Sequence, residues 1–475
     1  MDIQLKALFE LAKLNDQQRA AADATLAHRV VVIQGPPGTG KTTVSSTILK
    51  AQEMISRHMH KDVGSKVAVQ AVTNSALDVI GVKLVDSGSR VIRAGGSVTP
   101  DSVGKYAAII SRQDNPGDRK CVQDALVEAK NWVAWGQKAR LEAATRNLLA
   151  GKDVACGGAK LNDAGPWDLE MNTMRNAGGD RKSGFDPDLL AIVKDASGYQ
   201  RIVLLRSIMA LTLNVAANYL PPGFDFSLLD EASQAKEIEG VSGCILRVHP
   251  EKGKVALVGD SKQLGPHVNH DHLRETPLGR SMMERICENG GGGLKVVALV
   301  CQYRMPESIC SIVNKCFYDG RLVTVHAHSE KSTPGGVVWA QGVSYRMINV
   351  DSQESGSTSY ENYGERDAVI QYAKSMIDTG YPEGSVAILA PYSVQEEFIN
   401  VALRKRDLRH ACVSSVDESQ GREFDVVLLS LVRSNRQGKA GFCLQDKRLN
   451  VALSRARLRL IVFGNFKCLM RGDSD

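Results

Sequence analysis

The most constraining feature of this sequence is a glycine-rich stretch, Gly35-Pro36-Pro37-Gly38-Thr39-Gly40-Lys41-Thr42. It follows an apolar run at 30–33 and precedes a segment with apolar residues at helical spacing. This context matches the pattern G-x-x-x-x-G-K-[ST], in which backbone N–H groups and a helix N-terminus surround a phosphate. Lys41 supplies a charge for the β- and γ-phosphates, and Thr42 a hydroxyl for Mg²⁺. The sequence therefore predicts a phosphate-binding loop rather than a chance turn.

Composition indicates a globular protein with a substantial core. The chain has 475 residues, 43% of them apolar and 24% charged, which suggests two or three domains. The net charge of +6 mildly favours an anionic partner such as nucleic acid. The apolar runs are too short to cross a membrane. The ten cysteines include no Cys-x-x-Cys pair, so we expect reduced thiols in a cytosolic or nuclear protein without a zinc site.

Two further strand ends carry residues suited to nucleotide hydrolysis. The apolar run 226–229 leads into the adjacent carboxylates Asp230 and Glu231. One carboxylate of such a pair holds Mg²⁺, and the other accepts a proton from the attacking water. The next strand, 255–258, leads to Gln263, whose amide is suited to sensing a γ-phosphate. These residues complete the chemistry that the glycine-rich loop begins.

Other candidate residues have both a structural and a functional interpretation. Gln18 follows Asn15 as in a helix cap, but its amide is also able to read adenine. Thr73 and Asn74 end a strand, where ligands bind in parallel sheets, yet they also fit an ordinary helix cap. Three histidines, His267, His270 and His272, invite a metal hypothesis, although a polar loop explains them better.

The order of elements predicts an α/β fold with two parallel-sheet domains, because apolar strands alternate with helical segments in both halves. We expect domain 1 to span 1–298 and domain 2 to span 299–475. Residues about 100–200 differ from the rest of the chain in their pattern of apolar and polar residues. They suggest a helical and irregular insertion in domain 1, whose basic residues either contact nucleic acid or are solvated. The second half has no phosphate loop but several arginines at element ends. The sequence thus predicts ATP held between the domains, with arginines of domain 2 completing the site.

The motifs, taken in order, resemble those of superfamily 1 helicases, in the branch of the nonsense-mediated-decay RNA helicase and its DNA/RNA helicase relatives. The resemblance covers Leu14 to about Asn465, except the insertion, and implies two RecA-like P-loop NTPase domains. The segments that carry it are LNDQQ, GPPGTGKT, AVTNSALD, LLDEASQ, GDSKQLGP, CQYRM, APYSVQ, SSVDESQGREFDVVLLS, VRSN and KRLNVALSRAR.

The resemblance implies roles at matching positions. Asp230 would hold Mg²⁺ together with Thr42, and Glu231 would be the general base. Arg304 and Arg455 would be arginine fingers. The catalytic set would be Lys41, Asp230, Glu231, Gln263, Arg304 and Arg455. The residues that would bind ATP are Gln18, Gly35, Pro36, Pro37, Gly38, Thr39, Gly40, Lys41, Thr42, Thr43, Tyr303 and Glu423. The residues that would lie near the nucleic-acid backbone are Thr73, Asn74 and Ser415.

The resemblance implies an ATP-dependent helicase or translocase that moves 5′ to 3′ on single-stranded RNA or DNA. We expect ATP and Mg²⁺ as ligands, a monomer, and protein regulators as further partners. Three departures from the family pattern stand out: Pro306 and Glu307 follow Met305 where the family has His-Pro, Gly265 replaces a common proline, and we expect no β-barrel or cysteine-rich domain before Leu14. The last departure motivates an alternative, an ATP-regulated nucleic-acid clamp with ATPase activity but little unwinding.

Overall fold

The structure is a computed structural model that describes residues 2–59, 66–89, 91–94, 208–219, 223–268, 276–325, 343–382, 384–406, 408 and 411–471. The expected insertion at about 100–200 lies outside these residues. The chain divides into two compact units. The first comprises 1–34, 41–259 and 266–298, and the second comprises 35–40, 260–265 and 299–475. The short segments 35–40 and 260–265 thus belong to the second unit although the first unit flanks them in sequence.

The first unit is built on a parallel sheet. Its described strands are β1 (Val30–Gln34), β2 (Val67–Ala71), β3 (Val91–Ala94), β4 (Ile208–Thr212), β5 (Phe226–Leu229), β6 (Lys254–Gly259) and β7 (Lys295–Ala298). They are ordered β3-β4-β2-β5-β6-β1-β7, and every described neighbouring pair is parallel. The carboxyl ends of β1, β5 and β6 therefore share one edge of the sheet, where ligands bind in such folds.

Helices connect and cover these strands. In chain order they are α1 (Asp2–Leu11), α2 (Asp16–Ala27), α3 (Lys41–Met59), α4 (Asn74–Asp86), α5 (Leu213–Tyr219), α6 (Glu237–Gly243) and α7 (Met282–Glu288). The helix α3 buries Val44, Ile48 and Leu49, and it contacts β2, β5 and β6. The four-residue spacing of Val44 and Ile48 places these two side chains on one face of the helix, which explains why α3 packs on the sheet.

The second unit contains a second parallel sheet. The described strands of this unit are β8 (Cys301–Gln302), β9 (Val323–Thr324), β10 (Tyr345–Asn349), β11 (Glu354–Gly356), β12 (Tyr360–Asn362), β13 (Val386–Ala390), β14 (Cys412–Ser415), β15 (Phe424–Ser430) and β16 (Ala456–Gly464). Five strands form the parallel sheet β10-β16-β15-β13-β14. Its described helices are α8 (Glu307–Phe317), α9 (Tyr363–Asp378), α10 (Ser393–Lys405), α11 (Asp446–Leu453) and α12 (Phe466–Leu469).

Side chains alternate between two cores on the faces of this second sheet. Along β15, Val427 and Leu429 join a core with residues of α8 and α11. Val426 and Leu428 point to the other face and pack with residues of α9 and α10. Strands buried on both faces explain the continuous apolar runs in the sequence. The prediction of an α/β fold with two parallel sheets is confirmed.

The strands near residue 200 differ from those that the sequence predicts. The apolar residues in 201–206 also favour a strand, but they lie outside the described residues, whereas β4 at 208–212 was not predicted. No helix in the described part of the chain is long and apolar enough to cross a membrane.

Cys244 and Cys443 are free buried thiols, and burial raises the pKa of each to about 12.

Candidate functional site

The phosphate-loop backbone adopts conformations that glycine allows. Gly38 has φ +73° and Gly40 has φ +80°. The hydroxyl of Thr39 donates to the carbonyl of Pro36 at 2.7 Å, which closes the loop on itself. A Cβ added to Gly38 would lie 2.6 Å from Cβ of Arg304, so the close approach also requires glycine there. The carbonyl of Gly38 accepts from the N–H of Tyr303 at 2.8 Å.

Lys41, Thr42 and Thr43 form the first turn of α3. The N-terminus of a helix carries unpaired N–H groups and a partial positive charge, which favours phosphate. The hydroxyl of Thr43 accepts from Nζ of Lys83 at 2.6 Å. Burial lowers the pKa of Lys83. This first turn therefore places a lysine and two hydroxyls next to the glycines of the loop.

Asp230 and Glu231 follow β5 directly. The side chain of Asp230 is buried, and its Oδ1 has no hydrogen-bond partner among the described residues. Burial and the neighbouring Glu231 carboxylate raise the pKa of Asp230 to about 7, while the Lys41 ammonium opposes that rise. Glu231 has φ +49°, a left-handed conformation that is uncommon outside glycine. The Lys41 ammonium and the Asp230 carboxylate thus interact electrostatically within the first unit, and their roles in a nucleotide site stay predictions.

The donor set around Asp230 fits a magnesium ion. A buried carboxylate oxygen without a partner gains most from a nearby cation. Mg²⁺ prefers oxygen ligands and is typically held by one or two carboxylates together with substrate phosphates. Asp230 supplies such an oxygen, and Thr42 supplies a hydroxyl from the first turn of α3. When bound, the metal would neutralise charge on the phosphates.

Gln263 and Arg455 meet in the second unit. Arg455 is 2% exposed, and its guanidinium donates to the carbonyls of Val451 and Arg422. Its Nη2 also lies 3.4 Å from Oε1 of Gln263. The arginine is therefore held by several acceptors, with one end of the Gln263 amide among them.

Arg304 and Glu423 form an ion pair, with Nε of Arg304 2.9 Å from Oε2 of Glu423. The Arg304 guanidinium also donates to the carbonyl of Ser454 at 3.1 Å. Although burial acts in the opposite direction, Arg304 and Arg457 lower the pKa of Glu423. The two residues assigned by the resemblance to the γ-phosphate and the ribose are thus adjacent in this structure.

The remaining predicted residues occupy helix ends and strand ends. Gln18 and Asn15 form a reciprocal capping box at the start of α2, in which the N–H of Asn15 donates to Oε1 of Gln18 at 3.1 Å. Thr73 caps α4 through a bond from the N–H of Ala76, and Asn74 is the first residue of that helix. Ser415 ends β14. The structural interpretation of Gln18 and Thr73 as caps is therefore correct, and their ligand contacts stay predictions.

The histidine cluster does not form a described metal site. His267 is exposed, whereas His270 and His272 lie outside the described residues. Within the part of the chain that the structure describes, no group of three or more His, Cys, Asp or Glu side chains is arranged to hold a metal ion.

Sequence reasoning assigned no role to three residues that surround Gln263. Asp260 follows β6, Tyr318 follows α8, and Asn450 lies on α11. All three are buried and joined by hydrogen bonds. The sequence could have identified Asp260 as a candidate, because this residue directly follows a strand. Tyr318 carried no local signal, and Asn450 lies in the segment KRLNVALSRAR, where no role was assigned to it.

Two AAA-domain family models match the chain, one over residues 13–142 and one over residues 278–467. "Regulator of nonsense transcripts 1" of Dictyostelium discoideum is 27% identical over 99% of this chain and 32% of its own length. "DNA-binding protein SMUBP-2" of Rattus norvegicus is 29% identical over 96% of this chain and 43% of its own length. "ATP-dependent helicase upf1" of Schizosaccharomyces pombe is 28% identical, over 97% and 45% respectively. The chain spans less than half the length of these relatives.

Proposed function

Because this chain is a superfamily 1 helicase related to the nonsense-mediated-decay group, we propose that it is an ATP-driven translocase on single-stranded nucleic acid. The observation that carries the proposal is the buried Asp230 carboxylate, with an unpartnered oxygen and the Lys41 ammonium nearby. A charge buried in this way is costly in a purely structural role, and it suits a metal and phosphate site. The names of two relatives, an ATP-dependent helicase and a DNA-binding protein, support the same assignment.

Each predicted residue then has a chemical task. The loop glycines and Lys41 bind the ATP phosphates, and Thr42 and Asp230 hold Mg²⁺. Glu231 takes a proton from the attacking water, and Gln263 orients the γ-phosphate. Arg304 and Arg455 stabilise the charge that develops as the γ-phosphate departs. The remaining nucleotide contacts are Gln18 and Tyr303 to the base and Glu423 to the ribose.

Hydrolysis in this proposal drives movement along one strand, in the 5′ to 3′ direction. Thr73, Asn74 and Ser415 contact the strand's backbone. Backbone contacts do not read sequence, so binding is expected to weaken as salt rises. We assign residues 1–298 and 299–475 to the two domains of this motor, and we expect it to act as a monomer.

The test is steady-state ATPase activity of the purified chain with and without single-stranded RNA or DNA. We expect stimulation by at least one nucleic acid and loss of activity in Lys41→Ala. Lys50→Ala is the matched control, because Lys50 lies on the same helix, outside the phosphate loop, and its Nζ donates to the carbonyl of Ser87. ATPase activity that neither RNA nor DNA stimulates would contradict a translocase.

Strand displacement separates the translocase from the clamp. Short duplexes with a 5′ or a 3′ overhang are mixed with the protein and ATP, and released strand is measured. We expect release only from the 5′-overhang substrate. Nucleic-acid-stimulated ATPase without release from either substrate would favour the clamp.

A further inference from the structure

The second unit contains a buried hydrogen-bond network centred on Tyr318. We propose that Tyr318 is a positioning residue for ATP hydrolysis, which fixes the Gln263 amide by way of Asp260. This inference rests on the proposed function, because it assigns Tyr318 a role at the same site. It adds a residue that is distant in sequence from Gln263 and absent from every motif considered above.

The hydroxyl of Tyr318 and the amide of Gln263 share one acceptor. Tyr318 donates to Oδ2 of Asp260 at 2.6 Å. Nε2 of Gln263 donates to the same oxygen, also at 2.6 Å. Asp260 and Gln263 are 1% and 3% exposed, so water has little access to replace either bond. Tyr318 therefore helps to fix Asp260, whose Oδ1 also accepts from the N–H of Lys262 at 3.1 Å, and Asp260 in turn orients Gln263.

This arrangement determines which end of the Gln263 amide faces Arg455. An amide has one donating end and one accepting end. Because Nε2 bonds to Asp260, Oε1 is turned toward Nη2 of Arg455, at 3.4 Å. A guanidinium only donates, so the opposite orientation of the amide would set two donors against each other. Tyr318 thus acts on the pairing of the proposed γ-phosphate sensor with a proposed arginine finger.

Asn450 anchors Tyr318 from the other side. Nδ2 of Asn450 donates to the Tyr318 hydroxyl at 2.8 Å and to the carbonyl of Lys262 at 2.8 Å. The tyrosine hydroxyl therefore accepts one bond and donates another, which fixes its orientation. Asn450 lies on α11, and Arg455 follows that helix closely. The network consequently joins the 260–265 turn to the segment that carries Arg455.

A purely structural role for Tyr318 makes a different prediction. Its ring is part of the apolar core of the second unit, together with Met305 and Val313. Phenylalanine keeps this packing and removes only the hydroxyl. If Tyr318 serves packing alone, Tyr318→Phe should leave catalysis unchanged. If it positions Gln263, the loss should be in kcat, because the Gln263 amide is proposed to act on the γ-phosphate in the chemical step and not in ATP binding.

The experiment measures nucleic-acid-stimulated ATPase for wild type, Tyr318→Phe, Gln263→Ala and the double variant. Losing a buried hydrogen bond to a carboxylate predicts about a tenfold fall in kcat for Tyr318→Phe. KM for ATP should change by less than about twofold. The double variant should be no slower than Gln263→Ala, because Tyr318 acts through that residue. Tyr372→Phe, a tyrosine on α9 outside the network, is the control and should match wild type.

Two results would overturn the inference while leaving the proposed function intact. One is a Tyr318→Phe variant with the kcat of an active wild type. The other is a double variant whose fold-loss in kcat equals the product of the losses in Tyr318→Phe and Gln263→Ala, because independent sites combine in this way. A wild-type chain without ATPase activity would instead refute the proposed function, and this inference with it.

Discussion

Glu365 offers a direct test of the electrostatics of the second unit. It is fully buried on α9, and its Oε2 accepts from the hydroxyl of Ser430 at 2.7 Å and the N–H of Val432 at 2.8 Å. Val432 has φ +72°, a strained conformation for a β-branched residue. Oε1 of Glu365 has no partner among the described residues. The carboxyl thus holds a strained turn while one of its oxygens remains unsatisfied.

Burial raises the pKa of Glu365 from 4.5 to about 7, although the bonds from Ser430 and Val432 oppose the rise. This increase corresponds to about 3 kcal/mol of lost stability once the carboxyl is ionised in both states. The folded protein retains the proton in a pH range where the unfolded chain has released it. The contribution of Glu365 therefore falls as pH rises from 4.5 to about 7 and stays low above that.

The Glu365→Gln variant is neutral at every pH and keeps one acceptor oxygen. Its amide adds a buried donor that costs about 1–3 kcal/mol at any pH, so the diagnostic quantity is the change with pH. We expect the unfolding free energy of the variant, relative to wild type, to increase by about 3 kcal/mol between about pH 4.5 and pH 8. Urea unfolding, followed by circular dichroism at each pH, gives this difference.

The exposed Glu397→Gln, on α10, is the matched control and should show little change with pH. The reasoning is refuted if the difference between Glu365→Gln and wild type stays constant across this range. It is also refuted if the difference decreases as pH rises, because that result would mean a lowered pKa in the folded protein.

Two further predictions concern the proposed ATP site. Gly38→Ala should lose ATP binding, measured with a fluorescent ATP analogue, because the new Cβ would lie 2.6 Å from Cβ of Arg304. The control, Gly88→Ala, is also at positive φ but has open space around the new Cβ, so it should bind ATP normally. Equal ATP binding by both variants would contradict the steric argument. Asp230→Asn should reduce ATPase activity at least about a hundredfold yet unfold at higher urea than wild type without Mg²⁺, because it removes a buried charge. A less stable Asp230→Asn would show that this charge is already well compensated.

Much of the fold was predictable because its information is local. The glycines of the 35–40 loop, the apolar run before Asp230 and the alternation of strands with helices each appear within a short window of sequence. Parallel strands are buried on both faces, so they appear as continuous apolar runs. The strand β4 was missed because it follows the long region at about 100–200, where the sequence gives few boundaries.

The residue types of the candidate site were also predictable, since loops and strand ends at one edge of a parallel sheet collect the ligand-binding groups. The Lys41 ammonium opposes the rise in the pKa of Asp230, while the roles of both residues at the site stay predictions. The sequence also indicated a helix cap at Asn15 or Asp16, and the structure shows Asn15 as that cap, in a capping box with Gln18. The sequence by itself thus determined the sheet class, and it predicted the phosphate loop and the candidate catalytic groups.

Only the tertiary structure decided which side chains distant in sequence form buried hydrogen bonds. Tyr318 is 58 positions from Asp260 and 132 from Asn450, and Glu365 is 67 from Val432. No local pattern encodes such pairs, because they depend on strand order and on how helices cross between strands. A tyrosine or glutamate in a helical segment looks the same whether it faces water or a buried acceptor. Burial then gives these polar contacts their energetic weight, because a buried hydroxyl or carboxyl without a partner is costly.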